Sequence, residues 1–303
     1  MPILSRFSGR EGAGGRPIME SNRKLCLLIA LAWCAVASAG AQSTRLTSAT
    51  TERIERKTYA FKHGDVEAEL EYALYVPSNY DRDESKRWPL IVALHGLGSN
   101  PQQIMRYQGL TDLAERRGYI VVAPMGFNNS GWYGSRGPGG AFAAMFSRTL
   151  NGEQPPDNLG ELSEKDVMNV LEIVRKDYRV DPRNIFLMGH SMGGGGTWHL
   201  GTKHPEIWAG LAPIAPAINR LMSEDSLEKI EETPVIVVQG DADRVVPVEG
   251  SRRWVAKMKE LEMTHVYIEV AGGDHMTVAW REMPKIFDFF DKHRRAPKER
   301  PVR

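Results

Sequence analysis

The sequence predicts an α/β protein in which a mostly parallel central sheet carries helices on both faces. Two observations predict it. Short, continuously apolar runs alternate with longer stretches whose apolar residues recur at helical spacing, and buried parallel strands have to be apolar on both sides because helices cover both faces. In addition, no internal repeat and no long linker interrupts the alternation, so one large domain accommodates it.

In chain order, Leu70–Val76 is predicted as an edge strand that Pro77 terminates. Four continuously apolar runs follow, at Leu90–Leu94, Tyr119–Ala123, Ile185–Met188 and Val235–Val238, and Val266–Val270 adds another. The clearest helix spans Glu164–Tyr178, with Val167, Val170, Leu171 and Val174 on one face and Ser163 and Asp166 as a variant capping box. Further helices are expected over Gln102–Arg117, Gly193–Lys203, Val248–Glu262 and Val278–His293. One stretch breaks the alternation: residues 125–160 are rich in Gly, Asn, Pro and Ser yet hold Trp132, Tyr133, Phe142 and Phe146. Long loops of this kind are usually functional, and the aromatic residues point to a substrate-site loop. The basic tail 294–303 is expected to be solvated and frayed.

Composition narrows the classes. The chain has 303 residues, 42% of them hydrophobic and 25% charged, which excludes a disordered protein. Lys and Arg total 39 against 38 for Asp and Glu, so no charge excess points to nucleic acid or an acidic surface as partner. Two cysteines exclude a disulfide scaffold and a cysteine-ligated zinc site. Arg23-Lys24, the apolar run from Leu25 to Ala39 and the small residues Ala37 to Ala41 have the layout of a secretory signal peptide. Residues 1–41 are therefore expected to be removed, with Gln42 as the new terminus, and residues 42–303 to form a single catalytic domain exported to the periplasm or beyond. Removal takes both cysteines and a net charge of +3, so the formal charge passes from +1 to −2. The competing reading is an uncleaved anchor, since no charge intervenes between Lys24 and Arg45, but Ser38, Gly40, Gln42, Ser43 and Thr44 dilute the stretch. Translation from Met19 instead of Met1 would leave this segment intact.

The chemistry follows Ile185–Met188. Gly189-His190-Ser191-Met192-Gly193 is a G-x-S-x-G nucleophile elbow between a strand and a helix. A serine on so sharp a turn is strained, and its neighbours two residues away have to lack side chains. The Met192 amide opens the following helix, where unpaired N–H groups and the dipole favour negative charge. A sheet carrying such an elbow supplies a second oxyanion donor from the loop after an earlier strand, here His95-Gly96-Leu97-Gly98, and that amide is assigned to Leu97. A serine hydroxyl needs a base to accept its proton. His275, in the loop after the last predicted strand, is the best placed of eight histidines. The orienting acid belongs after the preceding strand, where both Asp241 and Asp243 stand.

These residues make the chain resemble an α/β-hydrolase, and it is similar to secreted bacterial esterases of the dienelactone hydrolase, feruloyl esterase and polyhydroxybutyrate depolymerase kind, often labelled predicted peptidases. The likeness runs from Tyr72 to Phe290 and rests on the blocks at His95, Ser191, Asp243 and His275. The family pattern Gly-x-x-Asp-x-x-Val-Pro falls on Gly240, Asp243 and Val246-Pro247, which selects Asp243 over Asp241. Gln239 stands where the family commonly has histidine, a departure expected to touch a neighbour and not the triad. The resemblance implies a serine esterase acting on a small-molecule or polysaccharide-linked ester through Ser191, His275 and Asp243, with no cofactor and no metal.

Competing assignments are weaker. Gly193–Gly196 lacks the Lys-Ser or Lys-Thr of a phosphate loop. His190 is expected to pack beside the nucleophile, and Asp274 to be a loop residue. His199 and His204, five apart, are expected on different helix faces and not at a metal. Trp132 and Tyr133 are candidates to stack on an aromatic or sugar ring of the substrate. A serine peptidase would use the same machinery, although its prolyl-oligopeptidase relatives usually carry a propeller domain for which there is no room. A catalytically silent binding protein of the same fold is the remaining alternative; such proteins commonly lack a triad member.

Overall fold

The computed structural model describes residues 50–137, 156–219 and 221–296. The expected signal segment, most of the expected loop 125–160 and the end of the tail lie outside these residues. Eight strands are described: β1 (Glu55–His63), β2 (Val66–Tyr75), β3 (Trp88–Leu94), β4 (Ile120–Pro124), β5 (Val180–His190), β6 (Gly210–Ile214), β7 (Val235–Gly240) and β8 (His265–Val270). They form one sheet in the order β1-β2-β4-β3-β5-β6-β7-β8. The β1–β2 and β2–β4 pairs are antiparallel and every other pair is parallel.

Every residue of β3, β4, β6 and β7 is buried, the condition that made most of these strands recognisable. The helices are α1 (Pro101–Met105), α2 (Leu110–Arg117), α3 (Leu159–Asp177), α4 (Met192–Lys203), α5 (Val248–Glu260), α6 (Val278–Arg281) and α7 (Met283–Lys292). The last of these contributes Phe287 and Phe290 to a cluster of rings under the sheet, where Phe290 stacks on Phe186 at 4.6 Å between centroids and Phe287 meets Tyr119 edge-on at 5.4 Å. Beside α4, Trp198 packs on Trp254 of α5 at 4.4 Å.

The structure corrects several expectations. The strand expected at Leu70–Val76 is not an edge: β1 pairs outside it, from Glu55 opposite Leu74 to His63 opposite Val66. β1 escaped notice because its outward positions are charged and only Phe61 is buried. The helix expected over Gln102–Arg117 breaks into α1 and α2 at Gly109, whose φ of 87° no helix accepts. The final helix breaks at Glu282, and Pro284 sits in the first turn of α7. Ser163 and Asp166 do not cap a helix; α3 begins at Leu159 and both are buried in its interior. The tail is not frayed from residue 294. Asn184 binds the Arg295 backbone through its Oδ1 to the N–H (2.7 Å) and its Nδ2 to the carbonyl (3.0 Å), while Arg294 donates to Tyr119 Oη (2.9 Å) and the Arg117 carbonyl (2.8 Å). Among the described residues no helix is long and apolar enough to cross a membrane.

Candidate active site

The elbow forms as its spacing requires. Ser191, between β5 and α4, has φ 59° and ψ −115°, a conformation an L-residue adopts only under constraint. The constraint is visible: its N–H donates to the Ile214 carbonyl, and its own carbonyl accepts from Gly195 and Ala217. A Cβ at Gly189 would stand 2.2 Å from the Gly193 carbonyl oxygen, and one at Gly193 would stand 2.1 Å from that of Leu94. The two glycines of the motif are thus fixed by close backbone approach. The rest of the glycine run is pinched in the same way, Gly194 by Pro216, Gly195 by the Ala217 carbonyl and Gly196 by the Tyr133 ring. Packing against four neighbours, one for each glycine, explains a run of four that superficially suggests a phosphate loop.

Asp243 and His275 meet as the resemblance implies. His275 Nδ1 lies 2.7 Å from Asp243 Oδ2. Asp243 Oδ1 accepts from the Val245 and Val246 amides, both at 2.8 Å. Burial pushes this carboxyl up, but the His275 bond and charge and the two amides outweigh it and hold the group below the ordinary aspartate range. Because a carboxylate only accepts, Nδ1 of His275 carries a hydrogen, and in the tautomer this selects the acceptor lone pair is on Nε2. That nitrogen is buried and has no hydrogen-bond partner among the described residues, Ser191 included. Bonds between nucleophile and base are often loose until substrate is bound. Asp241 is excluded as the acid, since its Oδ1 accepts from Gly272 N–H at 2.6 Å, and Asp274 caps its own loop by accepting from the Met276 and Thr277 amides.

Gln239 is closer to the chemistry than expected. Its Nε2 donates to Asp243 Oδ2 at 3.1 Å and to the Val246 carbonyl, while Ser251 Oγ donates to its Oε1 at 3.0 Å. The position that departs from the family pattern therefore touches the candidate acid itself.

The loop after β3 lies against the elbow, where a Cβ at Gly96 would stand 3.6 Å from Ser191 Cβ. Gly98 N–H is taken by the Asn129 carbonyl and Ser99 N–H by that of Gly96, whereas Leu97 N–H meets no backbone acceptor among the described residues. His95 Nε2 sits 2.9 Å from the Met125 carbonyl.

The substrate-stacking expectation for Tyr133 is not met. Its side chain is wholly buried, its hydroxyl donates to the His95 carbonyl at 3.2 Å, and its N–H donates to Ser163 Oγ at 3.0 Å, so it braces the loop after β3 from behind. Trp132 is likewise buried, and the Arg136 guanidinium lies 3.6 Å over its ring. Both aromatic residues have positive φ, as do Gly126, Phe127, Gly134 and Gly137. Asp166 holds this strained segment, accepting from the Gly126 and Phe127 amides at 2.6 and 3.1 Å and from Tyr59 Oη at 2.6 Å. The reading of Ser163 and Asp166 as caps concealed their part here.

His199 and His204 also converge, contrary to expectation. Their Nε2 atoms lie 2.9 and 3.1 Å from the two oxygens of Glu164, because His204 lies past the end of α4, where the helical face rule no longer applies. Among the described residues no group of three or more metal-ligating side chains could hold an ion.

A family model described as "Putative esterase" matches residues 65–297. The chain belongs to this esterase family. The chain is 28% identical over 169 residues to S-formylglutathione hydrolase of Rattus norvegicus, an overlap covering 54% of this chain and 57% of that protein. It is 24% identical over 165 residues to Cutinase 1 of Thermobifida cellulosilytica, covering 52% of this chain and 60% of that one. It therefore spans less than two thirds of the length of either relative. Among solved structures, the ferulic acid esterase of Anaeromyces mucronatus in complex with ferulic acid superposes with a TM-score of 0.58 at 18% identity, covering 82% of this chain and 93% of the other. The shared architecture is the α/β-hydrolase fold.

Proposed function

We propose that the esterase hydrolyses carboxylic esters by two-step acyl transfer on Ser191. The observation that carries this reading is the 2.7 Å bond from His275 Nδ1 to Asp243, which leaves Nε2 buried, unbonded and able to accept a proton beside the elbow. Ser191 Oγ attacks the ester carbonyl carbon while His275 Nε2 takes its proton. The carbonyl oxygen, now negative, is bound by the Leu97 and Met192 amides. Collapse expels the alcohol, which leaves with the proton from His275. Water then attacks the acyl-enzyme, giving its proton to the same nitrogen, and the acid departs as Ser191 recovers its hydrogen. Asp243 holds the imidazole in the productive tautomer and steadies its positive charge throughout.

The substrate is a small-molecule or polysaccharide-linked ester. Residues 1–41, with the layout of an export signal, support action outside the cytoplasm.

Short p-nitrophenyl esters and peptide anilides, offered to purified residues 42–303, test this. Ester turnover is expected, with loss on the order of a millionfold in kcat in Ser191→Ala, the scale seen when a triad serine is removed. No turnover by the wild type leaves a binding protein, equal turnover by the variant removes Ser191 as the nucleophile, and preference for the anilides makes it a peptidase.

A further inference from the structure

We propose that His190 is a positioning residue that fixes the base His275 against the nucleophile Ser191, and that Tyr107 holds His190 in the form that does so. This rests on the reading of Ser191 and His275 as nucleophile and base.

The fold creates the need. His275 follows β8, which is separated from β5 by β6 and β7. At about 4.8 Å between neighbouring strands, the loop after β8 has to reach back about 14 Å to bring its imidazole to the elbow. Its near end is tied to β7, where Ala242 N–H donates to the Gly273 carbonyl and Gly272 N–H to Asp241 Oδ1. Asp243, which orients the ring, also comes from the β7 side. None of these contacts reaches β5.

His190 does reach from β5. It precedes Ser191 directly, and its Nε2 lies 2.8 Å from the backbone carbonyl of His275. The two imidazoles lie side by side, 4.8 Å between centroids and inclined at 39°. A carbonyl can only accept, so Nε2 of His190 carries a hydrogen. In the neutral ring Nδ1 is then an acceptor, and it receives the hydroxyl of Tyr107 at 2.9 Å. The ring stays neutral because burial pushes its pKa down to about 3. Tyr107 itself is placed by the break between α1 and α2, which turns the chain toward the site. One side chain thus joins the residue beside the nucleophile to the backbone of the base, and a tyrosine selects its tautomer.

The test compares kcat and KM on a p-nitrophenyl ester for wild type, Ser191→Ala, His190→Leu, His190→Gln and Tyr107→Phe, with melting temperature measured on each. His190→Leu removes the donor and is expected to lower kcat tenfold to a hundredfold, the scale of a misplacement of about 1 Å, with KM within about threefold of wild type. His190→Gln, which can still donate to the carbonyl, is expected to recover most of that loss. Tyr107→Phe keeps its ring and is expected to lose several-fold in kcat alone. Should His190→Leu fail to fold, the other two variants carry the test. Wild-type turnover that depends on Ser191 while kcat is unchanged in His190→Leu or Tyr107→Phe overturns this proposal alone. So does equal loss in the Leu and Gln variants, because a merely space-filling histidine would give it. A wild type without Ser191-dependent turnover overturns the catalytic reading and this one with it.

Discussion

Gln239 shows how a single amide shapes the surroundings of Asp243, the proposed acid. Its Nε2 shares Asp243 Oδ2 with His275, and its Oε1 is held by Ser251, so the amide cannot turn its oxygen toward the carboxylate without losing both bonds. Hydrogen bonds to a charged group are worth about 1.5–3 kcal/mol, and this one fixes the oxygen on which the base leans. Gln239→Leu is expected to lower kcat for ester hydrolysis about tenfold with little change in KM. A variant within twofold of wild type would show that the two amides on Oδ1 hold the acid alone. The elbow at Ser191 and the contact of Asp243 with His275 were legible in the chain because each residue follows a strand in a fixed order and two carry local patterns. Gln239, Tyr107 and Asp166 were not, because what a polar side chain bonds to depends on elements that are distant in sequence. At Tyr133 the signal misled: an aromatic residue in a glycine-rich loop suits a substrate wall and a buried brace equally well, and only the partner of its hydroxyl tells them apart.

Between residues 126 and 137 the backbone takes positive φ at six positions, and such conformations persist only where the surroundings impose them. The imposing element is α3, through Asp166 on Gly126 and Phe127 and Ser163 on Tyr133. Asp166→Ala would leave two backbone amides and the Tyr59 hydroxyl without their acceptor in the interior. It is expected to lower the unfolding free energy in urea by about 3 kcal/mol or more, since each unpaired buried donor costs about 1–3 kcal/mol. A loss below about 0.5 kcal/mol would mean that the segment holds its own shape. Strands were legible where both faces are buried, as in β3, β4 and β7. β1 was lost to its charged outward face, and β6, Gly210-Leu211-Ala212-Pro213-Ile214, to its shortness and its proline. Helix existence was legible from apolar spacing, but the breaks at Gly109 and Glu282 were not, because the spacing continues across both.

For the molecule entire, two carboxyls on α3 pull stability in opposite directions with pH. Glu164 is pushed up by burial, but its bonds from His199, Lys203 and His204 prevail and bring it down to about 2. A carboxyl depressed on folding adds stability that is fully present above its unfolded value, near 4.5, and is lost as pH falls toward 2. Asp166 is the reverse case: burial raises it to about 6, so its contribution is greatest below its unfolded value, near 3.8, and fades as pH rises through 6. Denaturation curves are expected to show Glu164→Gln less stable than wild type at pH 6, with the gap narrowing between pH 4.5 and 2. A gap of constant size across that range would mean that the glutamate acts by packing and not by charge. The chain also has a built-in polarity. Ser191, Asp243 and His275 all follow the carboxyl ends of parallel strands, whereas Arg294 and Arg295 are bound to Arg117, Tyr119 and Asn184, at or before the starts of the buried runs of β4 and β5. Six residues of β5 separate Asn184 from Ser191, seven steps or about 23 Å at the rise of an extended strand. A bead, tether or reporter attached just after Ala296 would accordingly hang from the end of the sheet opposite Ser191, leaving the elbow turned away from the support.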